Sequence, residues 1–261
     1  MLSTNYLPGA PIWVDLGTPD IDAAASFYRE LFGWQFQSYG PDAGGYGGLT
    51  LDGKTAAGIG PLMGEGAQPA WTLYFNTQNA DATAESVTRA GGMVRAAPMD
   101  VMTQGRMAQF GDPAGAGFAV WQPGETKGLD VVNDPGSLCW TELHTSDPGA
   151  AASFYREVFG WTADETPMGE FTYTLLKPHG GDERSTFGGI MPLSPQMTDA
   201  GMSTGWRPYF EVPDCDEAVA TAAKYGGTVT APPMDVPQAG RMAALLDPAG
   251  AAFSVITSEA M

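Results

Sequence analysis

The sequence offers little to hold a metal or a disulfide: two cysteines and two histidines in 261 residues. Cys139 and Cys215 lie far apart and neither belongs to a CxxC pair. A disulfide framework or a zinc site is not indicated, and a reducing cytoplasm is the expected location. Basic residues are scarce too, 12 against 30 acidic ones, for a formal charge of −18. Such an excess repels phosphate backbones and anionic lipid, so neither nucleic acid nor membrane is an expected partner. No apolar run approaches the ~20 residues that cross a bilayer. The opening MLSTNYLPGAP has neither the basic start nor the apolar stretch of a secretory signal. A monomer or homodimer with a small-molecule partner is the expected state.

Repetition, by contrast, is abundant. Residues 27–34 read FYRELFGW and residues 154–161 read FYREVFGW, 127 residues apart. Later, MDVMTQGRMAQFGDPAGAGFAV (99–120) faces MDVPQAGRMAALLDPAGAAFSV (234–255) at a separation of 135. The chain is a duplication in which the second copy has gained about eight residues. A period this long excludes a solenoid, whose units repeat every ~20–50 residues. The two copies suit two domains at 1–122 and 137–261, joined by a Gly-, Pro- and charge-rich linker at 123–136.

Each copy alternates in a regular way. IWVDLGT (12–18) reads as a strand. Asp20 or Asp22 then caps a helix whose apolar residues Ala24, Phe27, Tyr28, Leu31 and Phe32 recur at helical spacing, and Gly33 ends it. Short strands follow near 34–39, 46–52 and 56–62. A second unit repeats the scheme, with a strand at 71–77, a helix at about 79–90 and strands near 93–97, 105–111 and 117–122. In the second copy the corresponding strands and helices begin with 138–145 and 147–159, then 206–212 and 214–225. The predicted class is α+β, built from four βαβββ units. Phe27, Tyr28, Phe154 and Tyr155 are expected in the core. Arg106 and Arg241, in the repeated GRMA segments, are expected as paired charges at the surface or at a cavity rim.

A strand, an Asp, a helix carrying FY…(L/V)FGW, and later an Asp-Pro-x-Gly turn before a last strand resemble the vicinal oxygen chelate superfamily. That family includes glyoxalases, bleomycin-resistance proteins and extradiol dioxygenases. In detail the chain resembles its double-domain actinobacterial members, often described as hydroxylase-like. The resemblance covers nearly the whole chain and implies two tandem glyoxalase-like domains, each a cupped mixed sheet of two βαβββ units. It also implies a divalent metal held by His, Gln or Glu, one ligand seven residues before the helix-capping Asp and another seven after the Asp of DPxG. Those positions hold Trp13 and Trp140, then Ala119 and Ser254; the first strands of the second units offer Thr72 and Arg207. AAGIGPL and FGGIMPL, the closing strands of the first units, contain no His, Asp or Glu. The family's ligand set is therefore not expected to bind metal here, and no cofactor is expected.

Alternation along the strands groups Trp13 with Asp15, and Trp140 with Glu142 and His144. By the same rule Thr72 goes with Tyr74, and Arg207 with Tyr209 and Glu211. If the Trp positions face the cups, each cup combines an indole, a carboxylate and a tyrosine, which suits a flat, partly polar ligand. Glu142, His144, Tyr209 and Glu211 are the candidate catalytic residues. Trp13, Asp15, Thr72, Tyr74, Trp140, Arg207 and Ser254 are candidate ligand contacts. A Glu142–Arg207 ion pair closing the cup is the structural alternative. Three functions stand open: a metal-independent enzyme performing a tailoring or isomerising acid–base step on a flat metabolite, a drug-sequestering binding protein, or a metal-dependent glyoxalase or dioxygenase.

Overall fold

The computed structural model describes residues 1–64, 66–169, 171–199 and 201–259. The first copy contains β1 (Pro11–Thr18), α1 (Ile21–Phe32), β2 (Gln35–Ser38), β3 (Gly47–Leu51), β4 (Lys54–Pro61), β5 (Ala70–Asn76), α2 (Ala80–Arg89), β6 (Met93–Val101), β7 (Gly105–Gly111) and β8 (Gly117–Pro123). The second contains β9 (Leu138–Thr145), α3 (Pro148–Phe159), β10 (Thr162–Met168), β11 (Phe171–Lys177), β12 (Gly188–Pro192), α4 (Pro195–Asp199), β13 (Gly205–Glu211), α5 (Cys215–Lys224), β14 (Thr228–Val236), β15 (Gly240–Leu246) and β16 (Ala252–Ser258). Each copy supplies one eight-stranded mixed sheet, ordered β2-β3-β4-β1-β5-β8-β7-β6 and β10-β11-β12-β9-β13-β16-β15-β14. The sheets confirm the α+β class. The inserted residues of the second copy include α4, which the sequence pattern does not predict.

Local chemistry sets the helix ends. Asp20, rather than Asp22, caps α1 by accepting from the Ala23 N–H, and Asp147 does the same for α3 through Ala150. Asn79 and Asp214 cap α2 and α5 in the same way. Gly33 and Gly160 stop α1 and α3 at φ 77° and 71°, a left-handed turn that costs a glycine little. Each turn delivers the following Trp into the interior, where Trp34 and Trp161 are fully covered.

Packing joins segments from different copies. One compact unit comprises Met1–Trp13, Leu73–Gly128 and Thr141–Arg207; the other comprises Val14–Thr72, Leu129–Trp140 and the chain from Pro208 on. In the latter, Tyr28 of α1 donates to Asp247 of the DPAG turn (3.2 Å) and accepts from the Trp71 indole (3.0 Å). In the former, Tyr155 of α3 donates to Asp112 (3.3 Å) and accepts from Trp206 (2.8 Å). The two repeated segments of the chain are therefore partners: the helix of one copy satisfies the turn carboxylate of the other. Phe27, Tyr28, Phe154 and Tyr155 are core residues, as expected.

Burial pushes the Tyr28 and Tyr155 phenols well above the ordinary value of 10.0, helped by the neighbouring Asp247 and Asp112. A raised folded pKa means that the folded state holds its proton while the unfolded state ionises. The stabilisation is complete below the unfolded value and drains away as pH rises past it. Each phenol then removes about 1.4 kcal/mol of stability per pH unit. The thermal midpoint measured from pH 8 to 11 is expected to fall above about pH 10, with a shallower slope in Tyr28→Phe and Tyr155→Phe. A flat profile would remove this linkage.

Among the described residues, no helix is long and apolar enough to cross a membrane.

Candidate functional site

Strand β9 carries the densest polar group. Glu142 and His144 stand two residues apart on one face, and both are about nine-tenths buried. His144 Nε2 lies 2.7 Å from Glu142 Oε2. The other carboxylate oxygen, Oε1, accepts from the Tyr173 hydroxyl of β11, also at 2.7 Å. β12 lies between β9 and β11, with Gly189 in register with Glu142 on one side and with Leu175 on the other. The result is a line of three groups, phenol, carboxylate and imidazole, held on β11 and β9 with β12 between them. An ionised carboxylate only accepts, so Nε2 is the nitrogen that donates to Glu142, and in the neutral imidazole Nδ1 carries the lone pair. Among the described residues, that buried Nδ1 has no hydrogen-bond partner.

The first copy has two thirds of this arrangement. Tyr46 donates to Asp15 Oδ2 at 3.0 Å. Gly17 stands where His144 stands in the second copy. A Cβ at Gly17 would meet only Leu62 and Ala70, at 3.6 and 3.8 Å, so crowding does not exclude a side chain there.

The remaining predicted residues are placed as follows. Trp13 and Tyr74 are buried, while Thr72 and Trp140 are half-buried. Tyr74 is in register with Ala119 on β8, and Tyr209 with Ser254 on β16. The Tyr209 carbonyl accepts from the Cys139 thiol. Arg207 bonds its own surroundings, the Trp206 and Ser203 carbonyls and the Ser203 hydroxyl. Glu211 holds the end of β16, accepting from the Ser258 N–H at 2.9 Å and its hydroxyl at 2.6 Å. Of the four candidate catalytic residues, Glu142 and His144 come together on β9; Tyr209 and Glu211 belong to the other compact unit.

Arg106 and Arg241 have a structural task. Arg106 grips Asp81 in the first turn of α2 through two nitrogens and Asp100 of β6 through the third. Arg241 repeats this with Asp216 and Asp235. The guanidinium holds the Asp81 and Asp216 carboxyls below the usual range.

Tyr173 and its counterpart Tyr46 were not anticipated from strand alternation. The signal was present: both sit at the 127-residue separation that relates Asp15 to Glu142.

The donor set does not fit the divalent metal that the fold's enzymes hold. Indoles stand at both first-ligand positions, an Ala and a Ser at the last-strand positions, and β4 and β12 contain no His, Asp or Glu. No cluster of three or more His, Cys, Asp and Glu side chains suited to a metal occurs among the described residues. Glu142 and His144 are engaged with each other.

Comparison with known proteins agrees with this architecture. Residues 11–120 match the Glyoxalase/Bleomycin resistance protein/Dioxygenase superfamily, and residues 140–256 match a Glyoxalase-like domain. The anthracycline biosynthesis protein DauV of Streptomyces sp. (strain C5) is 41% identical over 97% of this chain and 94% of its own. The anthracycline biosynthesis protein DnrV of Streptomyces peucetius is 42% identical with the same coverage. Among solved structures, the Mn(II)-bound glyoxalase from Novosphingobium aromaticivorans aligns with a TM-score of 0.63 at 18% identity, covering 96% of this chain and 82% of that one. At that identity the likeness is one of fold. With one glyoxalase-like domain in each copy and relatives of this identity along almost its whole length, the chain belongs to the glyoxalase/bleomycin resistance protein/dioxygenase superfamily.

Proposed function

We propose that the protein catalyses a metal-independent proton transfer on a flat, hydroxylated aromatic metabolite of the anthracycline type. The observation that carries this reading is the buried Tyr173–Glu142–His144 line. Glu142 and His144 form the acid–base pair, and Tyr173 fixes the carboxylate by occupying its second oxygen. A proton leaves carbon or oxygen of the ligand for the pair and returns at another atom of the same ligand, so the product has the mass of the substrate. Trp13, in the same compact unit as the pair, supports an aromatic ligand, because an indole face stacks on planar rings where a metal ligand would otherwise stand. The names of the relatives support the same chemical class. The metal-independent part rests on the donor set, which among the described residues offers no group of three or more His, Cys, Asp and Glu side chains suited to a metal.

A second reading, sequestration without chemistry, is favoured by one feature. The first copy keeps the Asp15–Tyr46 pair but has Gly17 in place of the imidazole. It has groups to orient a ligand and lacks the imidazole of the pair.

Chelator-treated protein incubated with hydroxylated anthraquinones and anthracycline aglycones is expected to yield an isomer of equal mass, detected by chromatography with mass spectrometry. Recovery of unchanged ligand together with quenched tryptophan fluorescence would favour sequestration. Turnover that appears only after a divalent metal is restored would refute metal independence.

A further inference from the structure

The acid–base line depends on a residue that carries no functional group. Tyr173 stands on β11 and Glu142 on β9, with β12 between them, so the phenol must span about 10 Å of sheet at ordinary strand spacing. It does so by lying across β12 at Gly189. A Cβ on Gly189 would overlap Cε1, Cζ and Oη of the Tyr173 ring, all far inside the 3.0 Å that real Cβ atoms respect. These are the atoms that carry the hydroxyl to Glu142 Oε1. The first copy has a related contact two residues further along, at the glycine in register with Gly17 rather than with Asp15: a Cβ on Gly60 of β4 would lie 2.6 Å from Cδ2 of Tyr46, the ring that reaches Asp15. Neither glycine has the positive φ that would require it for backbone reasons. In both copies, then, the missing side chain makes room for a tyrosine bound to the strand carboxylate.

We propose that Gly189 is a positioning residue for the acid–base group: its bare backbone is the bed on which Tyr173 lies flat, and any side chain there lifts the phenol off Glu142. This rests on the acid–base reading above for its catalytic consequence, but not for its structural one. With Tyr173 displaced, Glu142 loses the hydrogen bond from the phenol and holds the His144 Nε2 proton differently. Gly189 thus acts through Tyr173 on the imidazole without touching it.

The test uses the full chain and needs no ligand. His144 and His179 are the only histidines, so a His179→Gln background leaves one imidazole to follow by 15N and proton NMR. Gly189→Ala is expected to move the His144 Nε2–H resonance in the same direction as Tyr173→Phe, and by a similar amount. The double variant is expected to move it no further, since both changes remove one interaction. Additive shifts, or a Gly189→Ala spectrum identical to the parent, would overturn the proposal. Should Gly189→Ala unfold the chain, Tyr173→Ala is the rescue: removing the ring is expected to restore a folded Gly189→Ala protein. Failure of that rescue would show that the glycine serves something other than Tyr173. The turnover assay forms a separate arm. No product from the parent protein, with the NMR coupling intact, refutes the acid–base function and leaves the positioning role standing.

Discussion

Glu142→Gln is expected to lower turnover about 10²–10⁴-fold while leaving ligand affinity within a few-fold of the parent. The amide has the shape of the carboxylate and keeps an oxygen for the Tyr173 hydroxyl, so the fold and the line of contacts survive. What it loses is proton affinity. Its NH2 group, turned toward His144, can only donate, which forces the imidazole proton from Nε2 to Nδ1. The lone pair then points back at the amide, and the relay runs in the wrong sense. Steady-state rates and fluorescence titration measured together separate the two effects, because loss of a group used only in the transition state appears in kcat and not in binding. His144→Ala should show the same loss of rate, with an added stability cost from leaving Glu142 buried with one partner fewer. An unchanged rate in both variants would sink the acid–base reading and leave sequestration as the better account.

Helix starts were legible in the sequence because the chemistry is local: Asp20, Asn79, Asp147 and Asp214 cap what they precede. Strands such as β9 were legible because alternation over eight residues has a fixed physical meaning. Other features depend on distant chain. Strands β6 and β14 run through Val101 and Val236, although β6 contains Pro98 and β14 contains Pro232 and Pro233. They are the last strands of their sheets, where a missing N–H need face no partner, and register shifts absorb the irregularity. Nothing local announces that position.

The same holds for the site. Asp15, Glu142 and His144 could be placed on a face from strand period alone. Tyr46 and Tyr173 could not, because their role depends on which strand lies between them and the carboxylate and on a glycine there. The segment 123–136, expected as a linker from its composition, buries Leu129 and Val131 and pairs Asp130 with Thr55. Composition alone does not report packing.

Trp161→Ala is expected to cost about 3–5 kcal/mol, a large share of the ~5–15 kcal/mol that holds a typical domain together. The indole is 2% exposed. It stacks on Tyr155 and meets Phe75 and Phe187 edge-on, each with ring centroids 4.9 Å away. Phe159 lies at 5.1 Å and Trp206 at 6.0 Å. Its N–H also satisfies the Gly9 carbonyl at 2.9 Å, so truncation leaves both a cavity and an unpaired acceptor. Trp161→Phe keeps most of the ring contacts and loses the hydrogen bond, for a smaller loss of about 1 kcal/mol. Urea unfolding separates the two as a graded fall in midpoint at constant slope. A loss under about 1 kcal/mol for the alanine variant would contradict the packing described. Trp161 belongs to the same compact unit as Glu142, His144 and Tyr173 but touches none of the three through the contacts above. Activity per folded molecule should therefore survive the substitution at low temperature. The temperature at which activity disappears should fall in step with the unfolding midpoint.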